Sequence, residues 1–433
     1  MQKKVAALTL GCKVNDYDTA VMLNQFQSNG YEIENNFYSY ADIYLINTCT
    51  VTSLGDKKSR QMIRRAKVSN PNAIVIAAGC YSQVAPNEVA QIEGVNIVLG
   101  NNDRNSIVNI VENYTHKGTV IHTTDLRYEK IFEEMELQSM GTKTRAFVKI
   151  QEGCNEFCSY CIIPYSRGKS RSREVSNIVK EVSHLASNGY KEIVITGIHV
   201  ASYGKDLTNT NLLDVIKKIH EIKGVERIRL SSIEPNIITK DFVTNISTLN
   251  KVCDHFHLSL QSGCDKTLKS MNRKYTITDF KNAVYLLRSY LPNVAVTTDI
   301  IAGFPGEEER DFAQTLAFVE DIGFASMHIF PFSAKEGTRA YNFPDQIPTR
   351  IKNARVGILK EIDANQRKQF ITNMIGTNLS VLYETQISNN IYEGYSSNYI
   401  KILTESKKDL KNKVENIYIE KEKDGCGISC NIH

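Results

Sequence analysis

Gln151-Glu-Gly-Cys-Asn-Glu-Phe-Cys-Ser-Tyr-Cys161 places three thiols, Cys154, Cys158 and Cys161, in a C-x3-C-x2-C spacing. Three such cysteines hold three irons of a 4Fe–4S cube and leave the fourth iron without a protein ligand. An open metal position is where chemistry happens, whereas a closed one is structural. The alternatives are a zinc site or three cysteines packed in a core. Zinc in this spacing takes a fourth Cys or His close by, and none follows soon after Cys161.

Residues 145–151 read as a strand running straight into this loop. Downstream, strands expected at 192–196, 227–233, 255–260, 295–302 and 325–330 alternate with helices at 212–222, 240–246, 276–290 and 307–322. Such alternation builds a parallel sheet, and six strands fit a partial TIM-like (β/α)6 barrel with its site at the carboxyl ends of the strands. Those ends carry Thr196-Gly197-Ile-His199, Ser231-Ser232-Ile-Glu234, Ser259-Leu-Gln261 and Asp299-Ile-Ile-Ala-Gly303. Each run alone is a weak signal; their placement on successive strands is the stronger one.

Upstream, short apolar runs at 5–10, 42–47, 73–78 and 96–99 are each followed or separated by helical patterns, so an N-terminal parallel α/β sheet is expected. Cys12, Cys49 and Cys80 fall just past the first three runs. Strand ends of an open parallel sheet line one edge, so these three should converge in space. They are either a second three-cysteine ligand set or buried packing residues. Lys57, Lys58, Arg60, Arg64, Arg65 and Lys67 make a basic helix, either a solvated face or a contact for phosphates. Residues 100–144 read as a linker.

The segment 351–370 is expected as one long helix, and 371–433 as short alternating strands of a small all-β barrel of the nucleic-acid-binding kind. That segment has more acidic than basic residues and no arginine, which moves phosphate binding elsewhere. Cys426 and Cys430 are expected in a flexible Gly-rich end, and Cys253 and Cys264 as core residues. The expected domains are 1–113, 140–369 and 371–433.

Composition is that of a globular protein, 42% hydrophobic and 23% charged, and a net charge of +4 permits nucleic acid without demanding it. No apolar run approaches the ~18 residues of a membrane span, and the run at 5–10 is too short for a signal peptide. A cytoplasmic protein without a membrane partner is expected. In that compartment ten cysteines point to metal or redox chemistry.

The triplet Cys154, Cys158 and Cys161, with Tyr160 before the last, resembles the signature of radical S-adenosylmethionine (SAM) enzymes. Leu-Gly-Cys12-Lys-Val-Asn15, Ile-Asn-Thr-Cys49-Thr-Val-Thr and Ala-Gly-Cys80-Tyr resemble the N-terminal domain of the methylthiotransferases. The first two are most similar to the branch acting on N6-threonylcarbamoyladenosine of tRNA, immediately 3′ of the anticodon. The resemblance implies two 4Fe–4S clusters, SAM, a tRNA anticodon loop as substrate, and an electron donor such as flavodoxin or ferredoxin. It implies catalytic ligands Cys154, Cys158 and Cys161 and an auxiliary cluster on Cys12, Cys49 and Cys80. One SAM would methylate sulfur at the auxiliary cluster, and a second would supply the radical that attacks C2 of the adenosine. The C-terminal barrel would be a TRAM domain. SAM contacts are then expected from Tyr160, Thr196, Gly197, Ser232, Glu234, Gln261 and Asp299, with Arg273 assigned to the SAM carboxylate from charge alone. Because the threonylcarbamoyl group carries a carboxylate, which Arg reads bidentately, Arg167, Arg171 and Arg173 are candidates to bind it.

Overall fold

The computed structural model describes residues 2–430 apart from 116 and 142. Four sheets follow one another along the chain, the middle two belonging to one central unit. The first contains β1 (Lys4–Thr9), β2 (Glu32–Glu34), β3 (Ile43–Thr48), β4 (Ile74–Gly79), β5 (Ile97–Leu99) and β6 (Val120–His122). Its order is β2-β1-β3-β4-β5-β6, parallel throughout. Alternate side chains feed two cores. Ala6, Tyr44, Ile46, Val75 and Val98 meet Ile63 and Ala66 of helix Ser53–Ser69 on one face. Val5, Ile43, Leu45, Ile76 and Leu99 meet Met22 and Phe26 of helix Lys13–Ser28 on the other. This period-2 division makes continuous apolar runs the right sequence for a sheet covered on both faces.

The expected linker is instead built into the fold. It supplies β6, and its Met135, Leu137 and Met140 are buried in the core of the next unit. Tyr17 and Val21 of helix Lys13–Ser28 join the same core, so that helix is shared between the two units.

The central unit comprises β7 (Arg145–Glu152), β8 (Arg171–Ser172), β9 (Glu192–Gly197), β10 (Arg227–Leu230), β11 (His255–His257), β12 (Ala295–Ala302) and β13 (Ser326–Pro331). β7, β9 and β10 pair in parallel, as do β11, β12 and β13. A parallel bridge between Ile233 and Leu258 joins the two groups. Six parallel strands in chain order thus form the partial barrel, with β8 antiparallel on the β7 edge.

Helix Thr349–Thr372 leads to β14 (Asn378–Ser388), β15 (Ile391–Ser396), β16 (Lys401–Glu405), β17 (Val414–Tyr418), β18 (Lys421–Lys423) and β19 (Cys426–Cys430). The sheet order is β17-β14-β15-β16-β19-β18. Its two outer strands are consecutive in the chain, separated only by Ile419 and Glu420, so the sheet curls back on itself as a small barrel. Cys426 and Cys430 do not lie in a flexible end. They bound β19, which pairs in parallel with β16 through backbone hydrogen bonds that composition does not reveal. The Cys430 side chain lies outside the described residues.

Glu192 at the start of β9 locks the small barrel onto the central one. It is fully buried, 2.7 Å from Arg229 and 2.8 Å from Arg227. The same arginines donate to the carbonyl groups of Tyr395, Ser396 and Ser397. Burial alone would raise the Glu192 carboxyl, but the two guanidinium groups outweigh it and hold it at about 2. A depressed folded-state pKa gives stability that is present above the ordinary carboxylate range and lost as pH falls toward the folded value. Glu192→Gln is therefore expected to lower the unfolding free energy by about 3 kcal/mol at neutral pH. In anaerobic denaturant titrations the gap to the wild type should close as pH falls from about 5 toward the Glu192 value.

Candidate active site

β7 ends on Gln151 and Glu152 and delivers the first cysteine loop. Gly153 has φ +72°, and a Cβ there would lie 1.9 Å from the Lys169 carbonyl oxygen. No side chain fits at that crossing, where Cys154 N–H donates to Gly168 O at 3.0 Å. The Gln151 amide organises the loop from beneath. Its Nε2 donates to the carbonyls of Glu152 and Gly153 at 2.8 and 2.7 Å, and its Oε1 accepts from His199 N–H at 2.7 Å. The loop closes with Cys161 N–H donating to Cys158 O at 2.9 Å. Arg273 Nη1 lies 3.1 Å from Cys158 Sγ, and Nη2 lies 2.7 Å from Glu234, whose other oxygen faces His199 Nε2 at 3.4 Å. Tyr160 packs against the cluster of Met271, Phe304 and Phe332.

The second set does converge. Cys12 caps helix Lys13–Ser28, Cys49 follows β3, and Cys80 opens helix Cys80–Val84 after β4. Asn15 Nδ2 donates to Leu10 O at 2.7 Å and Thr48 O at 3.1 Å, fixing the two strand ends beside each other. A Cβ on Gly11, which has φ +106°, would stand 3.1 Å from Cys49 Sγ. Cys80 Sγ accepts from Arg167 Nε at 3.3 Å and from Asn101 Nδ2 at 3.6 Å.

Burial pushes the thiols of Cys49, Cys154 and Cys161 up to about 12. Such thiols keep their protons at neutral pH until a metal replaces them. Each trio also has a guanidinium aimed at one sulfur, as a thiolate-bound centre of net negative charge requires. The residues present therefore fit two iron–sulfur groups, held by Cys12, Cys49 and Cys80 and by Cys154, Cys158 and Cys161.

The two sites share one buried ion network. Asp18 lies 2.6 Å from Arg104, 2.5 Å from Lys149 and 3.1 Å from Arg167. Glu152 lies 2.7 Å from Arg167 and 2.9 Å from Lys149. Burial would raise both carboxyls, but the cations reverse this and hold Asp18 below, and Glu152 well below, the ordinary range.

A cavity of about 770 Å³ opens between the three units. Cys12 and Lys13 wall it from the first; Thr196, Gly197, Ser231, Ser232 and Asp299 wall it from the barrel strand ends; Tyr395 and Tyr399 wall it from the small barrel. Three smaller hollows of about 220, 370 and 530 Å³ lie away from both cysteine sets. Ser231 Oγ is buried at the wall with no hydrogen-bond partner among the described residues, an atom left for a ligand. Asp299 sits between His257 and His328, 3.2 Å from each. Gln261 has φ +74° and joins the β11 end to β12 through its backbone, donating to Asp299 O and accepting from Ile301 N–H.

The scan for known families finds the model described as the radical SAM superfamily over residues 148–319 and that of the uncharacterised protein family UPF0004 over residues 4–100. A threonylcarbamoyladenosine tRNA methylthiotransferase of Bacillus subtilis (strain 168) is 39% identical over 423 residues, 96% of this chain and 94% of that one. One from Aquifex aeolicus (strain VF5) is 40% identical, covering 94% and 98%. A tRNA-2-methylthio-N(6)-dimethylallyladenosine synthase of Clostridium botulinum (strain Langeland) is 34% identical, covering 90% and 86%. The chain belongs to the radical SAM tRNA methylthiotransferase family. Among solved structures, the radical SAM methyltransferase TsrM from Kitasatospora setae shares the fold at 13% identity, with a TM-score of 0.55 over 76% of this chain and 75% of that one.

Against this family background the three arginines proposed to read a substrate carboxylate are corrected. Arg167, Arg171 and Arg173 are all buried and engaged by the protein itself. Arg167 serves Asp18, Glu152, Asn15 and Cys80. Arg171 donates to the carbonyls of Lys169 and Arg167. Arg173 pairs with Glu134 and Glu181. A run of basic residues reads as a surface loop only when no buried carboxylates await it, and those carboxylates lie outside the run itself. Sequence reasoning also missed Lys13, Asp18, Lys149, Gln151 and Glu152. For three of them a signal existed: Lys149-Ile-Gln-Glu152 interrupts an otherwise apolar strand that is buried along nearly its whole length.

Gly153→Ala should displace the Cys154 loop while leaving the Cys12 site intact. Iron bound after anaerobic reconstitution is expected to fall by about half in a chain that still folds by circular dichroism. Full iron retention would contradict the crossing described above.

Proposed function

We propose that this protein inserts a methylthio group at C2 of N6-threonylcarbamoyladenosine at position 37 of tRNA. The observation that carries this reading is the single cavity onto which Cys12 and the barrel strand ends both open. Sulfur insertion at an unactivated aromatic C–H needs both sites close to one carbon, and a shared cavity provides that closeness. When bound, the two clusters and SAM supply the sulfur and radical chemistry, while the chain positions the reactants.

The chain's residues divide the work. Arg273, Glu234 and His199 form a charged relay from Cys158 toward the strand ends, positioned to orient the polar head of SAM. Tyr160, Thr196, Gly197, Ser232, Gln261 and Asp299 complete that side by their placement at the loop and strand ends. Exposed Lys57, Lys58, Arg64 and Arg65 on one helix offer phosphate contacts for the anticodon stem. Arg60 and Lys67 are less available: Arg60 donates to the Tyr81 hydroxyl, and Lys67 to the carbonyls of Pro71 and Ala73. A single-stranded loop lets the adenosine leave its stack at modest cost. In this reading the first sheet with its helices is the sulfur-donor domain, the central barrel the radical domain and the small C-terminal barrel the RNA-binding domain. A flavodoxin or ferredoxin in the cytoplasm supplies the electron. Among the described residues no helix is long and apolar enough to cross a membrane.

The test uses reconstituted protein, SAM, a low-potential reductant and tRNA carrying either N6-threonylcarbamoyl- or N6-dimethylallyladenosine. Nucleoside mass spectrometry should find the mass of a methylthio group replacing hydrogen on the first only. Modification of the dimethylallyl tRNA alone would overturn the substrate assignment.

A further inference from the structure

With Arg167, Arg171 and Arg173 buried elsewhere, the cavity still contains a cation without a side-chain counter-ion among the described residues. Lys13 follows Cys12 directly, lines the cavity, and is half-buried. No hydrogen bond or ion pair engages its ammonium among the described residues. Its electrostatic neighbours are mainly cationic or neutral: Arg145, Arg229, Tyr399, His255 and His328. The acids nearby are already spent. Glu192 is held by Arg227 and Arg229, Glu384 by Arg145 at 2.6 Å, and Asp299 by His257 and His328. Tyr399 completes the wall. Its hydroxyl accepts from Arg145 Nη1 at 3.1 Å, and Arg229 stands 4.5 Å from its ring centroid.

A half-buried ammonium whose side-chain neighbours are mainly cationic or neutral favours the approach of an anion. The other cations at this wall are saturated: Arg229 donates to Glu192 and to the carbonyls of Ser396 and Ser397, and Lys401 pairs with Glu393 at 2.6 Å. Arg367, which also lines the cavity, donates to Gly425 O at 3.2 Å, and Lys13 is the lining cation that makes no hydrogen bond or ion pair among the described residues. We infer that Lys13, backed by the Tyr399 wall, is the carboxylate subsite of the substrate cavity, so that this chain selects an adenosine bearing an anionic N6 group over one bearing an apolar group. This rests on the threonylcarbamoyladenosine reading above. The subsite stands on the same wall as Cys12, so an anion held there brings the attached adenine toward the auxiliary cysteines. A lysine at this one position is then a determinant of specificity, which the sequence form Gly-Cys12-Lys-Val-Asn encodes directly.

The experiment compares three anticodon stem-loops, carrying threonylcarbamoyladenosine, its carboxyl methyl ester, and dimethylallyladenosine. Dissociation constants are measured by fluorescence anisotropy on the full reconstituted chain. Wild-type protein should bind the carboxylate form about 10- to 100-fold tighter than the ester, the worth of one charge-assisted hydrogen bond. Lys13→Met should erase that ratio and Lys13→Arg restore most of it. Iron content is checked for each, because Lys13 adjoins a cluster ligand, and Lys13→Gln replaces Lys13→Met if iron is lost. Equal weakening of carboxylate and ester would make Lys13 a phosphate contact and overturn the proposal, as would an undiminished ratio. Separately, a wild type that methylthiolates only the dimethylallyl tRNA would overturn the substrate reading itself, and the carboxylate subsite with it.

Discussion

Everything in this molecule depends on five buried charges. Asp18 comes from the first helix, Arg104 from the end of the first sheet, Lys149 and Glu152 from β7, and Arg167 from the segment after the cysteine loop. None is more than 2% exposed. A buried ion costs several kcal/mol in lost hydration, returned only when every partner is present in good geometry. Two anions therefore need their three cations, and Glu133 at the rim, 2.7 Å from Arg104, balances the third. Such a network tolerates only one docking of the first unit on the barrel. That docking carries Cys80 to Arg167 and sets Cys12 at the mouth of the barrel.

The cavity follows from topology once the docking is fixed. Parallel strands put their carboxyl ends on one edge. Both sheets obey the rule, and the network turns the two edges to face one space. The small barrel then covers that space. Arg227 and Arg229 reach out of β10 to its backbone carbonyls, and Tyr395 and Tyr399 come down as a wall. The enclosure is polar at the strand ends and cationic beneath the tyrosines, a division suited to a substrate with a flat aromatic centre and a charged arm.

Much of this was legible in the chain. Short apolar runs with cysteines just past their ends pointed to the first sheet and to the convergence of Cys12, Cys49 and Cys80, because the strand-end rule acts on local pattern. The six-strand order of the central unit was equally plain. The role of the basic run after Cys161 was not. Its positive charges suggested an exposed anion-binding loop, yet Arg167 and Arg173 are answered by Asp18, Glu134 and Glu181, which lie elsewhere in the sequence. Tertiary pairing of this kind leaves no periodic trace. Segment 100–144 failed for a related reason: its polar composition hides the few residues, Met135, Leu137 and Met140, that dock it into the barrel core. Lys13 carries no signal of its own within the motif, because only the cavity reveals that its ammonium has no side-chain partner among the described residues.

The most direct test of the whole account is a count of iron and sulfide in anaerobically reconstituted protein, beside a variant with Cys12, Cys49 and Cys80 all changed to Ala. Two three-cysteine sites predict about eight irons per chain, and about four in the variant. About four in both would mean that Cys12, Cys49 and Cys80 hold no cluster, and the shared cavity would then lack its sulfur-bearing wall.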